Sequence, residues 1–210
     1  MAVEAFIAKK VGMTQVFSEE GSAIPVTVLQ LADLTVTAIK TEEKHGYSAI
    51  QVGYEPCKEK RLTKAQMGHL KKNDLPLFKH LKEFRVDATV AASVAIGDVL
   101  PMEFVQPAVK FKVTGQSIGK GTMGNIRRWG HHRGPMSHGS KSHRLPGSIG
   151  AGTTPGRVFR GLPMAGRTGN ETVTVANLAV VKVLPEKKLV LIKGSVPGVE
   201  GGYLFATRTK

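Results

Sequence analysis

The chain has 210 residues, 41% of them hydrophobic, and thirty basic against sixteen acidic side chains give it a formal net charge of +14. That length holds one large domain or two small ones with enough apolar material for a core, and the lone cysteine, Cys57, excludes an intramolecular disulfide and fits a reducing compartment. No apolar run approaches the ~20 residues of a membrane-spanning helix, and Glu4 ahead of Lys9 and Lys10 fits neither a signal peptide nor an acid-free transit peptide, so the expectation is a soluble, cytoplasmic protein with no membrane partner.

The first fifty residues read as short strands over 5–8, 14–17, 24–31, 35–40 and 48–53. They are rich in β-branched residues and separated by Gly12, Glu20-Gly21 and His45-Gly46. Spacings of about ten residues predict a barrel or sandwich, not helix-linked parallel strands. Cys57 follows a turn, Tyr54-Glu55-Pro56, with no positioned base that would make it a nucleophile. Over 63–83 the period changes: Ala65, Met67, Leu70, Leu77, Phe78, Leu81 and Phe84 predict two helices on either side of Asn73-Asp74, the second with Pro76 in its first turn. The helical insertion is therefore expected at about 62–84, its lysines forming a solvated face. Strands resume over 99–104 and 109–114, where Lys110 and Lys112 alternate with Val109, Phe111 and Val113. A long strand is predicted over 171–184, a turn at Pro185-Glu186-Lys187-Lys188, a hairpin partner over 189–193 and a last strand over 203–207.

Between these strand-rich flanks lies a segment of different chemistry. From Phe104 to Asn170 there is no aspartate or glutamate, while eleven of the lysines and arginines, four of the seven histidines and fourteen of the twenty-four glycines fall there. The remainder of the chain holds nineteen basic and sixteen acidic side chains, so the net charge is concentrated in one stretch. A segment so charged and so poor in large apolar groups cannot offset its conformational entropy by burial. A polyanion is the partner that would order it, because each neutralised phosphate releases condensed counterions. The predicted organisation is a globular body from 1–114 with 168–210, and an extended arm over 115–167.

Motifs in the arm that suggest catalysis fail on chemistry. Gly115-Gln116-Ser117-Ile118-Gly119-Lys120-Gly121 has three residues where a phosphate-binding loop has four, and Gly121 stands where a magnesium-coordinating hydroxyl belongs. Gly150-Ala151-Gly152-Thr153-Thr154-Pro155 has Pro155 in place of a dinucleotide fingerprint's third glycine, and no acid follows about twenty residues on. His131, His132, His138 and His143 lack cysteine or carboxylate co-ligands, so no metal is expected. With no carboxylate in the arm there is no general acid and base pair and no orienting acid for a Ser-His arrangement. No catalytic residue and no cofactor are predicted.

An RNA-binding pattern remains. Glycine allows close backbone approach and positive φ, and arginine supplies bidentate donors to phosphates and base edges. The candidate contacts are Lys110, Lys112, Lys120, Arg127, Arg128, Trp129, His131, His132, Arg133, His138, Lys141, His143, Arg144, Arg157, Arg160 and Arg167. Trp129 either stacks on a base or packs on the body. Aromatics are otherwise scarce in the segment, which favours insertion into folded RNA over reading of single strands.

The run Gly134-Pro135-Met136-Ser137-His138-Gly139-Ser140-Lys141-Ser142-His143-Arg144, followed by Pro146-Gly147-Ser148-Ile149-Gly150-Ala151-Gly152-Thr153-Thr154-Pro155-Gly156-Arg157-Val158-Phe159, closely resembles the bacterial form of the large-subunit ribosomal protein three family. So do Met164-Ala165-Gly166-Arg167 with Gly169-Asn170, the opening Lys10-Val11-Gly12-Met13-Thr14-Gln15-Val16-Phe17, and Lys193-Gly194-Ser195-Val196-Pro197-Gly198. The resemblance implies a mainly β protein: a β-barrel body like that of translation factors, with a small helical insertion and a long, irregular extension that penetrates large-subunit ribosomal RNA. It implies a non-enzymatic, early-binding assembly protein in the large ribosomal subunit of the cytoplasm or an organelle. Its partners would be the 23S-type RNA and neighbouring large-subunit proteins, not a second copy of itself. By the same resemblance Gly147, Ser148, Ile149, Gly150, Ala151, Gly152, Thr153, Thr154, Pro155 and Gly156 form the tip nearest the peptidyl transferase centre. In some members a glutamine in this loop is methylated; none stands between Gly147 and Gly156 here. A free-standing RNA chaperone and a nucleotide-dependent enzyme would share single features of the arm, but neither accounts for an end-to-end resemblance.

Overall fold

Residues 5–8 are buried on both sides of the strand, and in the computed structural model, which describes residues 4–102 and 104–209, the two faces meet two different cores. Phe6 and Ala8 point into one cluster with Leu29, Phe111, Val113, Val190, Ile192 and Leu204. Ala5 and Ile7 point into the other, with Leu34, Val36, Ile50, Val52 and Phe84. Such a strand reads as an unbroken apolar run because alternation is lost when both faces are covered.

In chain order the elements are β1 (Ala5–Phe17), β2 (Ala23–Leu31), β3 (Thr35–Lys40), α1 (Glu42–His45), β4 (Ala49–Pro56), α2 (Lys64–Lys71), β5 (Phe78–Arg85), α3 (Ala88–Ala92), β6 (Lys110–Gln116), β7 (Gly121–Met123), α4 (Asn125–Trp129), β8 (Gly166–Thr168), β9 (Thr172–Leu184), β10 (Leu189–Lys193) and β11 (Tyr203–Arg208). Six of the strands close a barrel in the order β1-β11-β6-β9-β10-β2, and β3-β4-β5 form a separate three-stranded sheet. The barrel seam joins β1 to β11 antiparallel, from Ala5↔Thr207 to Lys9↔Tyr203. Alternation on β11 repeats that of β1: Leu204 and Ala206 belong to the barrel core, while Tyr203 and Phe205 pack with the three-stranded sheet. Phe6 and Phe111, both fully buried, meet edge to face with centroids 5.0 Å apart inside the barrel. Each such ring is worth about 2–3 kcal/mol of burial.

The expected strands over 5–8 and 14–17 are one strand. Gly12 does not break it; a bulge between Lys10 and Gly12 shifts its register on β2. At that bulge the Lys10 ammonium donates to the carbonyls of Val196 (3.1 Å) and Gly198 (2.9 Å), which ties the Lys10-Val11-Gly12 motif to Pro197-Gly198 across the length of the sequence.

Three expectations are corrected. The helix expected after Pro76 is β5, paired antiparallel with β4 from Pro56↔Phe78 to Ala49↔Arg85. Its period is two, with Phe78 and Phe84 buried on one side and Glu83 on the other bound to Tyr47 and Gln51. The helical part of the insertion is thus α2 alone, held at its start by a capping box between Thr63 and Gln66. The strand expected over 99–104 is an extended connection that makes one bridge, Thr35↔Val99, with Leu100 N–H donating to Leu34. Pro101 has no N–H to continue a ladder, and Glu103 lies outside the described residues. Finally, α3 falls where no element was expected, and buries Val90 and Ala91.

The chain divides into two compact units, Met1–Gln116 with Val173–Lys210, and Ser117–Thr172. Both cores belong to the first unit.

Candidate nucleic-acid interface

Of residues 117–172 one is buried, and it is polar: Asn125, 4% exposed. A unit without an apolar core has to take its shape from hydrogen bonds. Short strands β7 and β8 pair from Gly121↔Thr168 to Met123↔Gly166, and α4 follows β7 directly. Three consecutive-turn side chains of α4 then converge on the stretch before β8. Asn125 Nδ2 donates to the Pro163 carbonyl (3.2 Å), while Arg128 Nη1 (2.9 Å) and Trp129 Nε1 (2.8 Å) both donate to that of Met164. The guanidinium carbon of Arg128 also sits 5.1 Å from the Trp129 ring centre, a cation–π contact. Gly166 fits here because a Cβ on it would stand 2.6 Å from Arg128 Nη1. A left-handed Gly130 (φ 74°) ends the helix.

Beyond the pins, residues 134–143 form a closed loop. Gly134 N–H donates to the His143 carbonyl (3.0 Å), and His143 Nδ1 lies 2.9 Å from the Pro135 carbonyl, so it carries the proton of that bond. Gly134 is required at the neck, since a Cβ would collide with the Ser142 carbonyl. From Arg144 to Leu162 every residue is exposed, including Leu145 (68%), Ile149 (47%) and Phe159 (59%). The tip residues 147–156 lie inside this stretch, shaped by a Gly156 N–H to Gly152 carbonyl bond (3.1 Å) and by Ser148 Oγ donating to the Gly150 carbonyl (3.1 Å).

The candidate residues fall into three environments. Lys110 and Lys112 are exposed on β6, opposite the buried Phe111 and Val113. Arg128 and Trp129 are engaged inside the loop unit, Trp129 with half its surface still open; its indole packs within residues 117–172. Lys120, Arg127, His132, Arg133, His138, Lys141, Arg144, Arg157, Arg160 and Arg167 are exposed, with His131 and His143 half-buried. No ion pair involving any of these cations occurs among the described residues. The unit holds nine lysines and arginines against the single acid Glu171, so its charges repel one another and attract a polyanion over several ångströms. Sequence reasoning missed Asn125, whose partner is a backbone carbonyl and leaves no sequence signal.

The near-miss nucleotide loops have the wrong surroundings. Gly115 is a strand residue packed on Leu204, and the chain from Gly115 leads into β7 instead of a helix N-terminus. Residues 150–155 precede no helix at all. Among the described residues no group of histidine, cysteine and carboxylate side chains is placed to hold a metal.

A closed barrel with a coreless, cationic unit inserted in sequence between two neighbouring strands defines a basic β-barrel protein whose charge complements a polyanion. The comparisons say which. The family model described as Ribosomal protein L3 matches residues 30–190. Large ribosomal subunit protein uL3 of Synechococcus sp. (strain JA-3-3Ab) is 55% identical over 205 residues, covering 97% of this chain and 95% of that protein. Large ribosomal subunit protein uL3 of Crocosphaera subtropica is 50% identical over 211 residues (100% and 98%), and uL3c of Gracilaria tenuistipitata var. liui is 50% identical over 198 residues (94% and 96%). The chain belongs to the ribosomal protein L3 family, and its role is that of a structural, non-enzymatic protein of the large ribosomal subunit.

Proposed function

We propose that the chain binds 23S-type large-subunit ribosomal RNA through residues 115–167, nucleates early assembly of the subunit, and carries its tip, 147–156, toward the peptidyl transferase centre. The observation that supports this most is the absence of an apolar core beneath nine cations, with five large apolar side chains between 145 and 162 left open. Such a segment gains its stability from a partner, and phosphates where RNA helices converge supply both the counter-charge and the enclosure. Lys120, Arg127, Arg133, Lys141, Arg144, Arg157, Arg160 and Arg167 neutralise phosphates, so helices that repel one another pack around the arm. Exposed Leu145, Ile149 and Phe159 are covered by sugar and base surfaces in the same complex. The body meets neighbouring large-subunit proteins, and no membrane and no second copy of the chain is involved. The tip places no catalytic group, because it contains no side chain that titrates.

Co-sedimentation with the large subunit in sucrose gradients tests the reading. The intact chain is expected at one copy per subunit, and a chain with 115–167 replaced by a short linker is expected to associate weakly or not at all. Failure of the intact chain to enter subunits during assembly would overturn it in favour of a free RNA chaperone. With ~8 cations engaged, the logarithm of RNA affinity falls against the logarithm of salt with a slope of about −6 to −7.

A further inference from the structure

The sheet contains a second excursion whose presence the fold does not explain. Strands β4 and β5 are antiparallel neighbours whose pairing ends at Pro56↔Phe78, and Cys57 N–H donates to the Leu77 carbonyl (2.9 Å) one step further out. A two-residue turn would join such strands. Instead residues 58–76 leave and return, forming a 3₁₀ turn over Glu59–Arg61 and then α2. Little of this excursion serves the core, since its only buried residue is Leu70.

Its charge is what sets it apart. Residues 58–76 contain Lys58, Lys60, Arg61, Lys64, Lys71 and Lys72, against Glu59 and Asp74. Glu59 is neutralised by Lys71 at 2.9 Å, a bond that draws the end of α2 to the 3₁₀ turn. The other five cations are exposed and form no ion pair among the described residues. Outside this excursion and the 104–170 segment the chain holds thirteen basic and fourteen acidic side chains. Most of the positive excess of the molecule therefore sits in two excursions, each inserted between neighbouring strands.

The second excursion is also held still. His69 Nε2 lies 2.8 Å from Gln51 Oε1, and Asn73 Nδ2 donates to the Thr37 carbonyl (3.2 Å), fastening the C-terminal end of α2 to the three-stranded sheet. The capping box at Thr63 and Gln66 fixes its start. A mobile lysine-rich loop would be a solubility device, whereas cations on a pinned scaffold keep one spacing and bind a fixed polyanion with less entropy lost.

We propose that the 3₁₀ turn and α2 of residues 58–72 form a second phosphate-docking surface, through which the body binds the backbone of folded RNA independently of the arm, using Lys58, Lys60, Arg61, Lys64 and Lys72. An RNA backbone fits better than an acidic protein segment because the surface offers charge without apolar anchors: its exposed non-basic positions on α2 are Ala65, Gln66, Gly68 and His69. Protein interfaces place aromatic or aliphatic side chains at their centre. The inference rests on the ribosomal RNA reading above.

The test uses the full-length chain with Lys60→Ala, Arg61→Ala, Lys64→Ala and Lys72→Ala together, which leaves the Lys71–Glu59 pair intact, beside an arm control, Arg144→Glu with Arg157→Glu. Binding to large-subunit ribosomal RNA is measured across salt concentrations. The body variant is expected to keep the circular dichroism of the parent while its salt slope becomes shallower by about 3, one counterion contribution for each cation lost. An unchanged slope, with the arm control still weakened, would overturn the second surface and leave the arm's function standing. Absence of binding by the parent chain would instead sink the ribosomal RNA reading itself. A body variant that binds bare RNA normally but fails to enter subunits would assign the surface to an acidic protein and overturn the proposal. As an independent readout, an iron chelate on Ala65→Cys in a Cys57→Ser chain is expected to cleave RNA strands near the surface in assembled subunits; intact RNA would contradict it.

Discussion

The barrel unit and residues 117–172 are ordered by opposite means. In the first, Phe6, Leu29, Phe111, Ile192 and Leu204 lie within 2% of complete burial and the backbone is paired in closed strands. In the second, one amide and the N–H groups of an arginine and a tryptophan hold two carbonyls, and everything beyond Arg144 is open as far as Leu162. Burial gives a unit stability that does not depend on company. Hydrogen bonds that water can replace give a shape but little free energy, about 0.5–1.5 kcal/mol each, so the second unit has a defined form with little stability of its own.

Four measurements would break or sharpen that contrast. Phe111→Ala opens a cavity between Phe6 and the barrel wall and should cost about 3–5 kcal/mol in denaturant unfolding, with no change in the salt slope of RNA binding under conditions where it stays folded. Arg144→Glu with Arg157→Glu should do the reverse: RNA affinity falls by at least ~10-fold and the salt slope becomes shallower by ~1.5, while the thermal midpoint stays where it was. A lowered midpoint would mean that the loop unit shares in the barrel's stability, and the contrast would fail. Asn125→Ala removes the one buried side chain of the loop unit, and a loss of about 1–2 kcal/mol confined to that unit should appear as faster amide exchange over 124–130. Because Trp129 is the only tryptophan, its emission should shift to the red while far-ultraviolet dichroism is preserved.

The smallest effect concerns the body alone. The Tyr203 hydroxyl, and after it the Lys79 ammonium and His80, hold the Glu55 carboxyl below the usual carboxylate range against the opposing effect of burial. Burial, then the hydrogen bond to Glu55, raises the Tyr203 hydroxyl. A carboxyl lowered in the folded state stabilises above its unfolded pKa and stops doing so as pH falls through the folded one. Glu55→Gln should therefore lower the neutral-pH stability by less than ~1 kcal/mol, a gap expected to close as the medium is acidified below pH ~4. A gap that widened in acid would contradict the sign.

The strands with clear alternation or unbroken apolar runs, such as 24–31, 189–193 and 203–207, could be read from the sequence because each makes one consistent choice of face. Phe78–Arg85 misled because Phe78, Leu81 and Phe84 recur at intervals of three, the helical spacing, while its burial follows a period of two set by pairing with β4. The spacer role of Gly12 was also misread: a bulge absorbs the glycine without ending the strand. At the interface, charge was legible because it is a property of composition. The pinning of α4 was not, since Asn125, Arg128 and Trp129 act on backbone carbonyls, which every residue carries alike.

The seam between β1 and β11 has a bearing on the order of events when the chain is made. Ala5 is the partner of Thr207, so the barrel cannot shut until about two hundred residues have been joined. Closing so distant a pair is slow compared with forming the hairpin of β9 and β10. During synthesis residues 117–172 therefore emerge from the exit tunnel while the first strand, already able to pair with β2, still waits for β11. The basic loop reaches the surrounding solution before the barrel exists, and for that interval the newborn chain is a cationic tether with an unfinished head.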